Sequence, residues 1–190
     1  MKSMIIKEFF RNPRSTGAVM PSSGKLAKVI TSEIGLKSAR RVIELGPGTG
    51  AITRHILEGM EPGTEFFAVE LNEKMYETFK HKFPGVKIIN ENAASLRSII
   101  VREGMQDVDL IISGLPWASF GAPLQRRLLL EITGSLAPRG IFTTFAYVQG
   151  LALPSARAFK RRLDKRFATV QRTPIIWNNI PPAVVYRCRK

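Results

Sequence analysis

From Arg41 onward the chain alternates short apolar runs, rich in Val, Ile and Phe, with longer stretches whose apolar positions recur every three or four residues. The short runs carry the two-residue period of strands and the longer ones the 3.6-residue period of helices. Strands are expected over Arg41–Leu45, Glu65–Leu71, Val86–Asn90, Val108–Ser113 and Ile141–Val148. Helices are expected from the glycine-rich loop to Met60, over Asn72–Phe83, over Leu124–Leu136 and over Ser155–Phe167. Two last strands, Thr169–Trp177 and Ala183–Arg189, flank Asn178-Asn179-Ile180-Pro181-Pro182 and suit an antiparallel pair at one edge. Alternating strands and helices bury both faces of a sheet, so the pattern predicts an α/β fold: a seven-stranded, mostly parallel sheet with helices on both faces.

Ahead of this core the period is helical. Lys2–Arg11 places Ile5, Ile6, Phe9 and Phe10 on one side, and Asn12-Pro13-Arg14-Ser15-Thr16-Gly17 breaks the run. Pro21-Ser22-Ser23 then offers an N-cap for a second helix reaching about Ile34. Residues 1–190 read as a single domain, with 1–35 a short helical N-terminal extension serving as lid or membrane contact and 40–190 the core.

The 190 residues carry 29 Lys and Arg against 15 Asp and Glu, a formal charge of +14 that attracts the phosphates of nucleic acid or of an anionic membrane. One cysteine, Cys188, leaves no intramolecular disulfide and no cysteine-based metal site. The longest uncharged stretch, Gly140 to Ala156, contains Gln149 and Pro154 and reads as strand plus loop, not as a membrane span. A monomer in the cytoplasm, touching membranes only peripherally and using no metal, is the expectation.

Candidate chemistry centres on Glu44-Leu45-Gly46-Pro47-Gly48-Thr49-Gly50, which closes a strand and opens a helix. Glycines let the backbone approach a ligand where a Cβ would collide, and the helix start offers free N–H groups. The motif also satisfies a dinucleotide fingerprint. Three features favour S-adenosylmethionine over a nicotinamide: Glu44, two residues before the first glycine, can meet an ammonium; Glu70 closes the second strand, where an acid can accept ribose hydroxyls; and about forty residues precede the first strand. Asn92, followed by Ala93, stands where many such enzymes use Asp to accept the adenine amino proton. Ser113-Gly114-Leu115-Pro116-Trp117 ends the fourth strand, where adenine-N6 methyltransferases carry a polar residue, proline and an aromatic; here Gly114 replaces the polar residue.

Over nearly its whole length the chain resembles the bacterial phospholipid N-methyltransferases of the soluble, Rhodobacter-type class. The resemblance rests on Phe9-Phe10-Arg11-Asn12-Pro13-Arg14, Gly17-Ala18-Val19 and Pro21-Ser22-Ser23, on the glycine loop with Ile52-Thr53-Arg54, on Ser113-Gly114-Leu115-Pro116, and on Asn179-x-Pro181-Pro182-Ala183-x-x-Tyr186-Arg187. It implies a class I, Rossmann-like methyltransferase that binds S-adenosylmethionine (SAM), releases S-adenosylhomocysteine (SAH) and methylates the head-group amine of phosphatidylethanolamine, with a membrane-binding N-terminal helix. The cofactor residues expected on this view are Met20, Ser22, Ser23, Glu44, Gly46, Pro47, Gly48, Thr49, Gly50, Glu70, Leu71, Asn92, Ala93, Ser113 and Leu115. Gly114, Tyr147 and Trp117 are the expected catalytic residues: the carbonyl of Gly114 and the hydroxyl of Tyr147 to handle the amine proton, with Trp117, Phe120 and Tyr147 the aromatics to meet the growing charge. The basic run Arg157, Lys160, Arg161, Arg162, Lys165 and Arg166 suits lipid phosphates. The competing readings are an rRNA adenine-N6 dimethyltransferase, with nucleic acid as partner, and a basic binding protein that has lost catalysis.

Overall fold

The computed structural model describes residues 24–190; the expected Lys2–Arg11 helix and Met20, Ser22 and Ser23 lie outside them. Seven strands form one sheet in the order β3-β2-β1-β4-β5-β7-β6. In chain order they are β1 (Arg41–Leu45), β2 (Glu65–Val69), β3 (Ile88–Ile89), β4 (Val108–Ser113), β5 (Leu136–Tyr147), β6 (Thr169–Arg172) and β7 (Ala183–Arg189). The first five run parallel, while β7 enters antiparallel between β5 and β6. The helices are α1 (Gly24–Thr31), α2 (Ala51–Gly59), α3 (Glu73–Lys82), α4 (Leu96–Arg102), α5 (Ala122–Ser135) and α6 (Pro154–Asp164).

Alternation along the central strands divides the core in two. Val42, Leu110, Ile112, Ala183 and Val185 face α1 and α2, where Leu26, Ile30, Ile52 and Ile56 meet them. Ile43, Leu45, Ile111, Phe142 and Val184 face the opposite layer, packed with Leu96, Ile99, Leu128, Leu129, Ile132 and Phe159 from α4, α5 and α6. Arg187 ties α1 to β7 by bonds to the Val29 carbonyl, the Ser32 hydroxyl and the carboxylate of Glu33.

Four elements depart from the sequence expectation, the simplest being β5, which starts at Leu136 and not at Ile141. Between Asn90 and Val108 the pattern predicts no helix, yet α4 is there, burying Leu96, Ile99 and Ile100. Their i, i+3, i+4 spacing is helical, and tertiary burial outweighs the strand preference of Ile99-Ile100-Val101. The strand expected to reach Trp177 stops at Arg172, because Pro174 has no N–H to extend a ladder; pairing resumes only as a single bridge from Ile176 to Ala183. Strand β3 shrinks to two residues at the sheet edge.

Candidate active site

Parallel registry brings the ends of β1, β2, β3 and β4 to one edge, with Leu45 beside Val69 and Ser113, and Val69 beside Ile89. The crevice lies between β1 and β4, where strand order reverses, which is the place an open α/β sheet offers a ligand. After β1 the backbone turns sharply. Gly46 has φ +68°, and a Cβ there would lie 2.7 Å from Cδ2 of Leu115, so only glycine fits. Its N–H donates to the Val69 carbonyl at 2.9 Å, which pins the loop to β2.

Two acids stand behind this loop. Glu44 is fully buried; Thr53 donates to its Oε2 at 2.6 Å, while its Oε1 has no partner among the described residues. A buried, half-satisfied carboxyl is costly unless something else meets it. Burial pushes its pKa up to about 8, against the pull of the Thr53 hydrogen bond and with a further push from the charge of Glu70. The folded ligand-free protein therefore holds a proton that the unfolded chain releases near 4.5. The stability this contributes is full below that value and is lost as pH rises to about 8. Glu44→Gln, uncharged throughout, is expected to flatten that part of the thermal-stability profile of the ligand-free protein; an unchanged slope between the two values would assign the pH dependence elsewhere.

Glu70 is 4% exposed and accepts from the N–H of Asn72 at 2.9 Å and of Gly48 at 3.2 Å. Burial raises its pKa, opposed by these backbone bonds. Each oxygen keeps acceptor capacity for a further donor. Glu70 lines a narrow cavity of about 30 Å³ with Leu71, Asn92, Ala93, Leu115 and Phe120. Asn92 Oδ1 accepts from the N–H of Ala94 at 2.9 Å, capping the short turn Ala93–Ser95, and retains a second lone pair. Phe120, which the sequence groups with the acceptor aromatics, lines this narrow cavity instead.

A larger cavity, about 280 Å³, opens on the other side of Gly46 and Leu115, which line both. Pro47, Gly48, Thr49, Gly114, Trp117 and Tyr147 line it, so the expected cofactor loop and all three expected catalytic residues meet there. Gly50 starts α2 and Ser113 is buried beneath. Its far wall, from Gln149, Leu151, Leu153, Phe159 and Tyr186, was not expected as site. The signal in the sequence was position alone: the loop after the fifth strand abuts the carboxyl edge.

Trp117 is 2% exposed, stacked on Phe159 with centroids 4.6 Å apart, and its indole N–H donates to the Ser113 hydroxyl at 3.1 Å. Tyr147 is half-buried and edge-on to Phe145; burial raises its pKa, so its hydroxyl stays protonated.

The sequence profile of the ribosomal RNA adenine dimethylases matches residues 17–135, well over half of the chain. The chain belongs to that family. Its fold is that of the class I SAM-dependent methyltransferases: an O-methyltransferase from Bacillus cereus, solved in complex with SAH, superimposes with a TM-score of 0.69, covering 99% of this chain and 90% of that one at 13% identity. The protein is thus a SAM-dependent methyltransferase. An ornithine lipid N-methyltransferase from Singulisphaera acidiphila is 29% identical over 98% of this chain and 94% of its own length. A ribosomal RNA small subunit methyltransferase from Arabidopsis thaliana is 28% identical over 63% of this methyltransferase, which spans 33% of that relative's length.

Among the described residues of this methyltransferase, no helix is long and apolar enough to cross a membrane.

Proposed function

We propose that this methyltransferase acts on the primary amine of a lipid head group, in phosphatidylethanolamine or an ornithine-type aminolipid. The observation that carries this is at Gly114. A Cβ there would lie 2.5 Å from the carbonyl oxygen of Gly46, closer than such atoms approach. The backbone at the mouth of β4 has no room for the Asn or Asp that would accept protons from a planar nucleobase amine.

Coverage points the same way. The dimethylase profile ends at Ser135, before Tyr147, α6 and the far wall of the larger cavity, whereas the lipid-methylating relative aligns across them. The site also suits the cofactor: Oε1 of Glu44, without a partner among the described residues, is an acceptor for an ammonium, Glu70 for ribose hydroxyls, and Asn92 with Ala93 and Leu71 for the adenine end. Gly46, Pro47, Gly48 and Thr49 supply the close backbone and Leu115 the wall, with Gly50 capping α2 and Ser113 buried beneath, and Met20, Ser22 and Ser23 belong to the segment preceding α1.

When bound, SAM supplies a methyl group already made electrophilic by its sulfonium. The chain's part is to hold a deprotonated amine in line with it and to exclude water. A head-group ammonium of pKa ~10 must first give up a proton, which passes to bulk water before the site closes; the Gly114 carbonyl and the Tyr147 hydroxyl, both on the larger cavity, then accept hydrogen bonds from the amine's remaining N–H groups and orient its lone pair. Tyr147 also offers its ring to the forming charge. Trp117, with one face taken by Phe159, acts as a positioning residue that holds Ser113 and the wall before it.

Methyl-labelled SAM offered with phosphatidylethanolamine vesicles, ornithine-lipid vesicles or total RNA tests the reading. Label is expected in lipid, as slower- or faster-migrating methylated species on thin layers. Label in RNA adenines alone would restore the nucleic-acid reading that the family profile otherwise favours.

A further inference from the structure

The β6–β7 connection places its largest apolar side chains outward. Trp177 is 69% exposed and Ile180 75%, on the loop spanning residues 173–182. The loop is held from within. Ile176 and Ala183 bridge its base, with Ile176 N–H donating to the Ala183 carbonyl at 2.8 Å. Asn179 is 2% exposed, and its side-chain amide donates to the Pro181 carbonyl at 2.6 Å. The exposed side chains therefore sit on a fixed platform, and presenting them costs no further ordering.

The platform stands beside the active site. Ala183 pairs with Tyr147, and the N–H of Val148 donates to the Pro182 carbonyl at 2.8 Å, so the loop is bonded to the segment that walls the larger cavity. On that wall Leu153 is also 48% exposed. The adjoining elements carry exposed cations: Arg157, one turn beyond Leu153 on α6, and Arg172, at the end of β6 where the loop begins, whose side chain also hydrogen-bonds Tyr186. Bulky apolar side chains on a loop bonded to the wall of a cavity, in a chain of strong positive charge, suit a partner that is both oily and anionic. A second copy of a chain carrying +14 would be repelled, whereas an anionic bilayer attracts it. Tryptophan favours the headgroup layer, where its ring is sheltered and its N–H stays wet.

We propose that the β6–β7 loop is an interfacial anchor: Trp177 and Ile180 enter the headgroup layer of an anionic bilayer, Arg157 and Arg172 meet its phosphates, and the larger cavity is thereby set facing the lipid surface. This rests on the lipid-amine reading of the site, and of the basic run on α6 it uses only Arg157.

The test uses the full chain with vesicles of phosphatidylethanolamine and phosphatidylglycerol. Trp117 is buried and Trp177 exposed, so the vesicle-induced change in tryptophan emission reports Trp177. A blue shift and quenching by brominated lipids are expected in the wild type and not in Trp177→Phe. Sedimentation with vesicles should weaken on the order of tenfold or more in Trp177→Ala/Ile180→Ala, because two apolar side chains leave the interface. SAM affinity of the double variant, and its methylation of detergent-dispersed lipid, should match the wild type. Equal sedimentation of the double variant, a wild-type Trp177 already shielded from iodide in buffer, or an emission change with RNA but not vesicles would each overturn the anchor. Lipid labelling by the wild type alongside any of these leaves the lipid-amine reading standing; absence of lipid labelling by the wild type removes that reading whatever the fluorescence shows.

Discussion

Replacing Glu70 by alanine is expected to weaken SAM binding by ~1.5–3 kcal/mol, roughly ten- to a hundredfold, the cost of losing hydrogen bonds to a charged acceptor. The side chain stands at the end of β2, nearly buried, and holds two parts of the site together. One oxygen accepts from Gly48 in the glycine loop and the other from Asn72, the residue that caps α3. Alanine removes the acceptor for a ribose and leaves both N–H groups without their partner, so the ligand-free protein should also melt earlier. Glu70→Gln separates the two effects. Its amide oxygen can serve one N–H, but its NH₂ faces the other, so its affinity should fall between those of the wild type and the alanine variant. Calorimetric titration with SAM and with SAH measures this directly. Equal affinities for the wild type and Glu70→Ala would take Glu70 out of the cofactor site and leave it the structural task of joining loop to helix.

How much of this was legible in the sequence depends on whether local chemistry or distant packing decides each feature. The glycine loop was legible because only glycine fits the positive φ of Gly46, and the start of α3 because Asn72 caps it, its side chain accepting from Met75. The mostly parallel sheet and its closing antiparallel pair were legible from the alternation of periods, whereas the strand order is set by packing. Helix α4 was not legible, since its Ile-Ile-Val run favours a strand until packing against α5 is known. The basic run on α6 shows six cations in sequence, but the fold divides them: Lys160 pairs with Asp164 and Arg162 donates to Gln125, while Arg157, Arg161 and Lys165 remain exposed. Trp117 reads from sequence as a free aromatic face beside the acceptor; its stacking on Phe159 depends on a residue more than forty positions away. The far wall of the larger cavity, with Phe159 and Tyr186, is a product of tertiary packing for the same reason.

The variant Gly114→Asn is expected to lose methyl transfer to lipid by at least on the order of a hundredfold, the penalty for moving reacting groups by about an ångström. The added Cβ would meet the Gly46 carbonyl oxygen at 2.5 Å, and neither side can yield easily. Gly114 donates its N–H to the Leu45 carbonyl at 2.8 Å, and Gly46 is held to Val69. Something must shift, and the nearest candidates are the cofactor loop and the Leu115 side chain packed against it. The strain should lower stability by ~1–3 kcal/mol, as overfilling a packed site does. Gly114→Ala introduces the same clash without new polarity, so its melting point and SAM affinity isolate the steric part. If it retains the fold while Gly114→Asn loses no more activity than it does, the whole effect is displacement of the backbone carbonyl that meets the amine. The asparagine variant supplies the side-chain acceptor that nucleobase methylation calls for, but in a backbone with no place for it, so RNA should remain unlabelled. Gain of adenine methylation by Gly114→Asn, or wild-type melting together with undiminished lipid turnover, would show that the close approach of Gly46 and Gly114 does not select the acceptor.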